Sequence, residues 1–145
     1  MKNNFEIRKY KSNDYNSILK LWESLDLGKP ERGDNKKIIE NTIDNGGELL
    51  VIEDIGSGDI IGTSWITNDK RRLYLHHFGI RKDFQGKGIS KLLLEKSLKF
   101  AIETGLQIKL EVHKNNNIAL ELYKKYDFKY LGDYDIYIIR EYNKL

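Results

Sequence analysis

Apolar residues recur along this chain with two different periods, and the two periods predict a mixture of strands and helices. Alternation of apolar and polar residues is typical of half-buried strands, whereas spacings of three and four residues are typical of amphipathic helices. The segments with strand character are 5–10, 49–53, 60–66, 73–80, 107–112, 128–131 and 134–140. The segments with a helical apolar stripe are 15–25, 38–43, 89–101 and 118–126.

The order of these segments is β, α, α, β, β, β, α, β, α, β, β, which indicates the fold class. A mixed order of this kind favours an α/β (mixed α+β) fold, in which a single twisted mixed β-sheet carries helices on both faces. The only proline, Pro30, lies in the loop Lys29–Asp34, and no repeat or Pro/Ser-rich linker divides the chain. We therefore predict one domain spanning residues 1–145.

Composition narrows the class of protein. Charged residues make up 32% of the chain and the net charge is only +3, which argues against a nucleic-acid partner. The chain has no cysteine, so disulfides, thiolate metal ligands and a cysteine nucleophile are excluded, and we predict no metal site. The N-terminus lacks the apolar run of a signal peptide, and no segment is long enough to span a membrane. We expect a cytoplasmic protein with no membrane partner.

A glycine-containing loop, Gln85–Ser90, lies where a predicted strand leads into a predicted helix. Gly86 and Gly88 allow a sharp turn, and the first N–H groups of a helix lack internal partners at the positive end of its dipole. This arrangement suits an anionic phosphate group, and positive charge is supplied nearby by Lys82, Lys87 and Lys91. Alone, the pattern is equally typical of a turn into a surface helix. It matches neither a Walker loop nor a dinucleotide-binding fingerprint.

A second motif downstream, formed by Val112, Asn116, Ala119, Tyr123 and Asp127-Phe128, changes the interpretation. Together the two stretches resemble the GCN5-related N-acetyltransferase (GNAT) family over about residues 73–128. The family's first motif, Gln/Arg-x-x-Gly-x-Gly/Ala, is met at Gln85 and Gly88 and imperfectly at Ser90. Its second motif, Val followed by Asn-x-x-Ala-x-x-x-Tyr and Gly-Phe, is met at Val112, Asn116, Ala119, Tyr123 and Asp127-Phe128. Asp127 stands where glycine is frequent and Lys82 where proline is frequent.

The resemblance implies the GNAT fold and an acetyl-CoA-dependent N-acetyltransferase, in which a primary amine attacks the thioester directly in a ternary complex. It implies that the backbones of Phe78, Gly79 and Ile80 hold the pantetheine arm in a gap between two diverging strands and polarise the carbonyl. The residues implied for the pyrophosphate are Gln85, Gly86, Lys87, Gly88, Ile89 and Ser90. Asn116 would bond the pantetheine arm, and Tyr123 would both contact the cofactor and protonate the leaving thiolate.

A general base is also needed, because an alkylamine has a pKa of about 10.4 and must lose a proton before it attacks. His76 and His77 lie on the strand before the loop, and adjacent strand residues should point to opposite faces. We favour His76, because arylalkylamine acetyltransferases of the resembled family carry a histidine at that position. A hydrogen-bonded core histidine with water as the base is the alternative. Glu53 and Glu111 are fallback bases, and His113 is more typical of a structural residue.

The acceptor is expected to be a small-molecule or peptide amine, and the protein a monomer or homodimer. Candidate residues on the acceptor side are Trp22, Arg32, Asp34 and Tyr134. Two alternative functions remain open. One is a non-catalytic acyl-CoA-binding sensor, which would keep the glycine loop without turnover. The other is an adaptor that binds nucleic acid or protein through surface lysines, which the interspersed acidic residues disfavour.

Overall fold

A computed structural model describes residues 4–143 of the chain. The chain forms two compact units, one within Met1–Glu111 and the other within Val112–Leu145. No helix in the described range is both long and apolar enough to cross a bilayer.

The first unit is built on a five-stranded sheet whose spatial order is the order of the sequence. The strands are β1 (Phe5–Lys9), β2 (Glu48–Asp54), β3 (Ile60–Asn68), β4 (Arg72–Ile80) and β5 (Gln107–Leu110). Neighbouring strands are antiparallel except for β4 and β5, which are parallel. The predicted mixed sheet is therefore confirmed. The central strands β2 and β3 are nearly continuous in burial, because helices cover both of their faces.

Three helices pack on this sheet: α1 (Tyr15–Leu25), α2 (Lys36–Asp44) and α3 (Ile89–Thr104). The core on the side of α1 and α2 contains Ile18, Leu21, Trp22, Ile39, Leu49, Val51, Ile60 and Trp65. The core on the side of α3 contains Leu50, Ile52, Ile61, Ile80, Ile89 and Leu93. Along β2, Leu49 and Val51 belong to the first core, whereas Leu50 and Ile52 belong to the second. Successive residues of a strand point to opposite faces of the sheet. Helices on both faces were predicted from the element order.

The ladder between β4 and β5 is short. It joins Arg72–Leu75 to Gln107–Leu110, and β4 then continues to Ile80 paired with β3 on its other edge, while β5 stops. The predicted strand 107–112 is thus two residues shorter at its end. The parallel ladder therefore ends at Leu75 and Leu110, before β4 reaches the glycine loop. This leaves the last part of β4 past the end of its parallel neighbour, beside the start of the glycine loop.

Within its described residues, 112–143, the second unit contains one helix, α4 (Asn117–Lys125). The strands predicted at 128–131 and 134–140 are wrong: residues 126–143 contain no strand. From Tyr130 onward the large apolar side chains of this segment are exposed, namely Tyr130, Leu131, Tyr134, Ile136, Tyr137, Ile138, Ile139 and Tyr142. Alternation shows that a segment suits a sheet, but a strand exists only where a neighbour completes its hydrogen bonds.

Candidate active site

The glycine loop has the backbone geometry that its sequence predicts. Gly86 and Gly88 have φ angles of 77° and 76°, in the left-handed region that costs glycine little. Gly88 is the N-cap of α3. A β-carbon at either glycine would meet nothing within 4 Å. Glycine is therefore required here by backbone conformation and not by crowding, and the loop presents an open surface at the start of a helix.

Side chains fix the loop between strand and helix. The Nε2 group of Gln85 donates a hydrogen bond of 2.7 Å to the carbonyl of Ile80, which ties the loop to the end of β4. Ile89 is buried beneath the first turn of α3, and Ser90 is half-buried. The residues predicted to hold a pyrophosphate thus form one continuous turn with its two ends anchored.

Positive charge surrounds the loop. Lys82, Lys87 and Lys91 are exposed, and the Lys87 ammonium lies 5.2 Å from the ring centroid of Phe84. The Arg81 guanidinium is held by carboxylates of Asp83 and Asp59 at 2.8 and 3.2 Å. The lysines therefore carry the positive charge available to an anion at this helix terminus.

The three residues predicted to hold a pantetheine arm form the end of β4. Ile80 is buried in the α3-side core, with Phe78 packed against that core. Gly79 faces the other side, where a β-carbon would lie 3.0 Å from the Cδ1 atoms of Leu25 and Leu27. The absence of a side chain at position 79 lets the end of α1 approach the strand closely.

A β-bulge in β4 contains His77 and Phe78. Trp65 pairs with His76 and Thr63 with Gly79, so two residues of β4, His77 and Phe78, lie opposite Ser64 alone. His77 has a left-handed φ of 47°. Bulges of this kind redirect side chains and are frequent beside active sites. They also break the alternation on which sequence arguments about strand faces depend.

The bulge corrects the prediction that His76 and His77 point to opposite faces. Both rings lie against Trp65, with centroid distances of 5.9 Å for His76 and 5.4 Å for His77. His77 also makes an edge contact with Trp22, whose ring centroid is 4.5 Å away. The two imidazoles therefore share the α1 and α2 side of the sheet, 6.5 Å apart.

His76, the base favoured by the sequence, has polar and aromatic neighbours. Its Nε2 atom lies 2.9 Å from the hydroxyl of Thr67, and its ring stacks on Tyr74 with 4.5 Å between centroids. Burial, reinforced by the neighbouring His77, lowers the pKa of His76 from its ordinary 6.5 to about 4. The ring is therefore neutral at pH 7.

His77 is paired with a carboxylate. Its Nε2 atom lies 3.0 Å from Oδ1 of Asp34, a residue 9% exposed. Burial lowers the pKa of His77, and the Asp34 carboxylate acts in the opposite direction. Asp34 was a candidate for the acceptor side, but nothing in the sequence pairs it with a histidine 43 positions away. The only local signal is the turn chemistry of Pro30 and Gly33 around it.

The second motif lies in the second unit. Asn116 caps α4, accepting a hydrogen bond of 3.2 Å from the Ala119 amide. Tyr123 is 8% exposed, its ring contacts Phe128 at 5.4 Å, and burial raises its pKa to about 12. Asp127 has a left-handed φ of 67°, so it adopts the conformation for which glycine is frequent there.

Other candidates have structural partners. Trp22 is fully buried and its indole donates to the Thr63 hydroxyl at 2.9 Å, which excludes it from an acceptor surface. Glu53 binds the Arg8 guanidinium at 2.9 Å. His113 accepts through Nδ1 from the Asn115 amide at 3.1 Å. Arg32 and Tyr134 are exposed. Within residues 4–143, no three His, Asp or Glu side chains are arranged to hold a metal ion.

Comparison with known proteins identifies similar chains. The model of the acetyltransferase (GNAT) family matches residues 15–128. An acetyltransferase of Pectobacterium atrosepticum is 28% identical over 125 residues, 86% of this chain and 87% of that protein. An acetyltransferase of Yersinia enterocolitica shows the same identity and coverage. The crystal structure of an acetyltransferase from Streptococcus agalactiae superposes with a TM-score of 0.79 at 18% identity, covering 95% of this chain and 93% of that one.

Proposed function

The chain belongs to the GNAT acetyltransferase family, and on that premise we propose that it transfers an acetyl group from acetyl-CoA to a primary amine by direct attack in a ternary complex. The family uses acyl-CoA, whose thioester supplies the acetyl group. The observation that carries the proposal is the glycine loop, an open left-handed turn at the N-terminus of α3 that follows a strand running past its parallel neighbour.

Different residues of the chain would bind different parts of the cofactor. Amide groups of Gln85–Ser90 suit the pyrophosphate, because they lie at a helix start with exposed lysines around them. The backbone of Phe78–Ile80 would bond the pantetheine arm and place an N–H group at the carbonyl oxygen, where it stabilises developing negative charge. Asn116, by its position in the second motif, would bond the same arm.

The acceptor enters as an ammonium and must lose a proton to expose its lone pair. A histidine of β4 would receive that proton, since both imidazoles have pKa values below 6.5 and are neutral at pH 7. The sequence predicts His76 in this role. Glu53, a fallback, is engaged by the Arg8 guanidinium, which disfavours it.

Tyr123 is proposed as the proton donor to the leaving thiolate, on the strength of its position in the second motif. A phenol with a pKa of about 12 stays protonated at physiological pH, which is the state that a donor needs. A free thiol has a pKa of about 8.5, so complete transfer from this phenol is uphill. The main contribution expected is therefore a hydrogen bond to the developing thiolate.

The acceptor is proposed to be a small-molecule or peptide amine, and residues 1–145 to work as one N-acetyltransferase domain. The family match supports this extent, because it runs from α1 through α4 and across both compact units. The alternative of a non-catalytic acyl-CoA sensor shares the glycine loop and differs only in turnover.

An amine screen tests the proposal. The protein is incubated with acetyl-CoA and, separately, phenethylamine, glucosamine, lysine and a short peptide with a free N-terminus, and release of free thiol is followed. We expect thiol release that depends on both an amine and the protein. Binding of acetyl-CoA without amine-dependent release from a broadened panel would favour the sensor, and absence of binding would contradict both functions.

A further inference from the structure

A carboxylate and an imidazole form a buried pair in the first unit. Side-chain exposure is 12% for Asp34 and 18% for His77, and Oδ1 of Asp34 lies 3.0 Å from Nε2 of His77. Placing a carboxylate in such surroundings is costly unless it is hydrogen-bonded. The pair therefore requires a local structure that stabilises it.

The loop between α1 and α2 provides that structure. The second carboxylate oxygen, Oδ2 of Asp34, accepts a hydrogen bond of 2.8 Å from the Lys29 amide. The Asp34 amide donates back to the Lys29 carbonyl at 3.3 Å, and the Tyr15 hydroxyl donates to the Asp34 carbonyl at 3.3 Å. Both oxygens of the carboxylate are thus directed, one to the loop and one to His77.

Gly28 closes the pair from one side. A β-carbon at position 28 would collide with Oδ2 of Asp34 and lie 2.6 Å from Nε2 of His77. The backbone therefore passes directly over the contact between the two side chains. Any larger residue would push the carboxylate away from the imidazole.

The hydrogen bond selects one tautomer of His77. An ionised carboxylate only accepts, so the imidazole must carry its proton on Nε2. Nδ1 is then left with its lone pair. Among the described residues no side-chain nitrogen or oxygen is both fully buried and without a hydrogen-bond partner. The hydrogen bond of the His77 ring uses Nε2 and its side chain is 18% exposed, so the lone pair of Nδ1 is left to accept a proton.

We propose that His77, oriented by Asp34, accepts the amine proton on Nδ1 in the acetyl transfer. This inference rests on the proposed function and concerns the base that function requires. The ammonium proton passes to Nδ1, the amine nitrogen forms its bond to the acetyl carbon, and the carbon–sulfur bond breaks. The thiolate leaves with a hydrogen bond from the Tyr123 hydroxyl and is protonated by water. The acetylated nitrogen loses its second proton to water as the amide forms, and His77 returns its proton to solvent.

The contacts of His76 make it the weaker base. Its Nε2 partner is the neutral hydroxyl of Thr67, which does not compensate a positive imidazole as a carboxylate does. The charged group that acts on His77 is the Asp34 carboxylate. The His76 ring lies 6.5 Å away, and the Tyr15 hydroxyl reaches the loop carbonyl of Asp34. A base is most effective when its pKa lies near the working pH, and His76, at about 4, lies well below it.

The tautomer can be measured without an acceptor. Long-range ¹H–¹⁵N NMR of imidazole-labelled protein at pH 7 distinguishes a protonated Nε2 from a protonated Nδ1. We expect His77 to be neutral with its proton on Nε2. In Asp34→Asn the amide can accept from Lys29 only by turning its NH₂ group toward His77, so the proton should move to Nδ1. A parent protein with the proton on Nδ1 would overturn the orienting role of Asp34.

Kinetics test the catalytic role, using the four amines of the screen. His77→Gln keeps a donor toward Asp34 but removes the base, and we expect kcat/KM to fall about 100-fold with the KM for acetyl-CoA unchanged. Asp34→Asn should lower kcat by about 10-fold or more. His76→Gln should have a smaller effect than His77→Gln, and the exposed His113→Gln should match the parent.

The pH profile separates a base from a structural residue. In the parent, kcat/KM should fall with decreasing pH as His77 becomes protonated below pH 6.5, and His77→Gln should lose that limb. Equal kcat/KM for His77→Gln and parent, or a limb lost only in His76→Gln, would overturn the proposal. A parent that acetylates none of a broadened amine panel would instead contradict the proposed function.

Discussion

At the scale of single residues, the hydroxyl group of Tyr123 is the proposed hydrogen-bond and proton donor to the leaving thiolate. Tyr123→Phe keeps the ring that packs against Phe128 and removes only the hydroxyl. We expect kcat to fall by about 10-fold to 1,000-fold while acetyl-CoA affinity stays nearly unchanged. Single-turnover measurements, in which the chemical step limits the rate, measure this fall.

A matched control for Tyr123 is Tyr130, which lies in the same unit and is 93% exposed. Tyr130→Phe should behave as the parent in both binding and turnover. A Tyr123→Phe variant with the parent's kcat would remove this residue from the mechanism and leave the thiolate to depart unassisted.

The lowered pKa of His76 leads to a prediction about stability that does not depend on catalysis. Its pKa is about 4 in the folded protein against 6.5 in an ordinary histidine. Below pH 6.5 the unfolded chain therefore binds a proton that the folded chain does not, so stability falls as the pH drops toward 4. The full difference amounts to about 3 kcal/mol.

His76→Gln removes this titration. Urea unfolding at pH 7 and pH 4.5 should show a smaller acid-induced loss in the variant than in the parent, by about 2–3 kcal/mol. His113→Gln, at an exposed position, should retain the parent's pH dependence. Identical acid sensitivity of parent and His76→Gln would show that this ring is not held neutral by burial.

The two histidines also show where residue-level prediction ends. Their location on a strand before the glycine loop was predicted, but the prediction that they point to opposite faces was wrong. A single left-handed residue, His77 with φ of 47°, places both rings on one face. No sequence pattern distinguishes a histidine that adopts this angle from one in a regular strand, because the bulge is set by pairing with β3.

At the scale of elements, a buried pair of hydroxyls joins β3 to α3. The Ser64 and Ser97 oxygens lie 2.7 Å apart, and Ser97 donates to the Leu93 carbonyl at 2.8 Å. Ser97 therefore uses its proton within the helix, and Ser64 is the donor between the two elements. Both serines are fully buried. Because Ser64 depends on the Ser97 oxygen as its acceptor while Ser97 keeps its bond to Leu93, removing one hydroxyl should differ in effect from removing the other.

Ser97→Ala leaves the Ser64 hydroxyl without its acceptor and should cost about 1–3 kcal/mol of unfolding free energy. Ser64→Ala leaves Ser97 still bonded to Leu93 and should cost about 1 kcal/mol. The double variant should be less destabilised than the sum, measured by chemical denaturation. Equal single effects with strict additivity would contradict this assignment of donors.

Local backbone chemistry explains which elements were predictable. The glycine loop and the capping of α4 by Asn116 depend on neighbouring residues, so the sequence suffices for them. The segment 134–140 has the same alternation as β4 but forms no strand. Whether this segment forms a strand depends on a pairing partner, and such a partner comes from a distant part of the sequence. For the same reason, the pairing of Asp34 with His77 was not predictable.

At the scale of the whole molecule, the family match extends across both compact units, whereas the loop proposed to bind the pyrophosphate lies within the first unit. The central claim is that acetyl-CoA binds at the N-terminus of α3. α3 itself offers a control, because glycines of equal conformation stand at its two ends.

Gly88 and Gly105 have φ angles of 76° and 75°, and a β-carbon at either would meet nothing within 4 Å. Glutamate at either site thus introduces the same strain and the same charge, but only at position 88 would it oppose a pyrophosphate. Calorimetric titration with acetyl-CoA compares the parent, Gly88→Glu and Gly105→Glu, each checked for a folded circular-dichroism spectrum. We expect the parent to bind acetyl-CoA. In Gly88→Glu the Kd should rise about 10-fold to 100-fold or more, which corresponds to about 1.4–2.8 kcal/mol or more, whereas Gly105→Glu should keep the affinity of the parent. No binding by the parent, or an equal loss in the two variants, would contradict binding of acetyl-CoA at the N-terminus of α3.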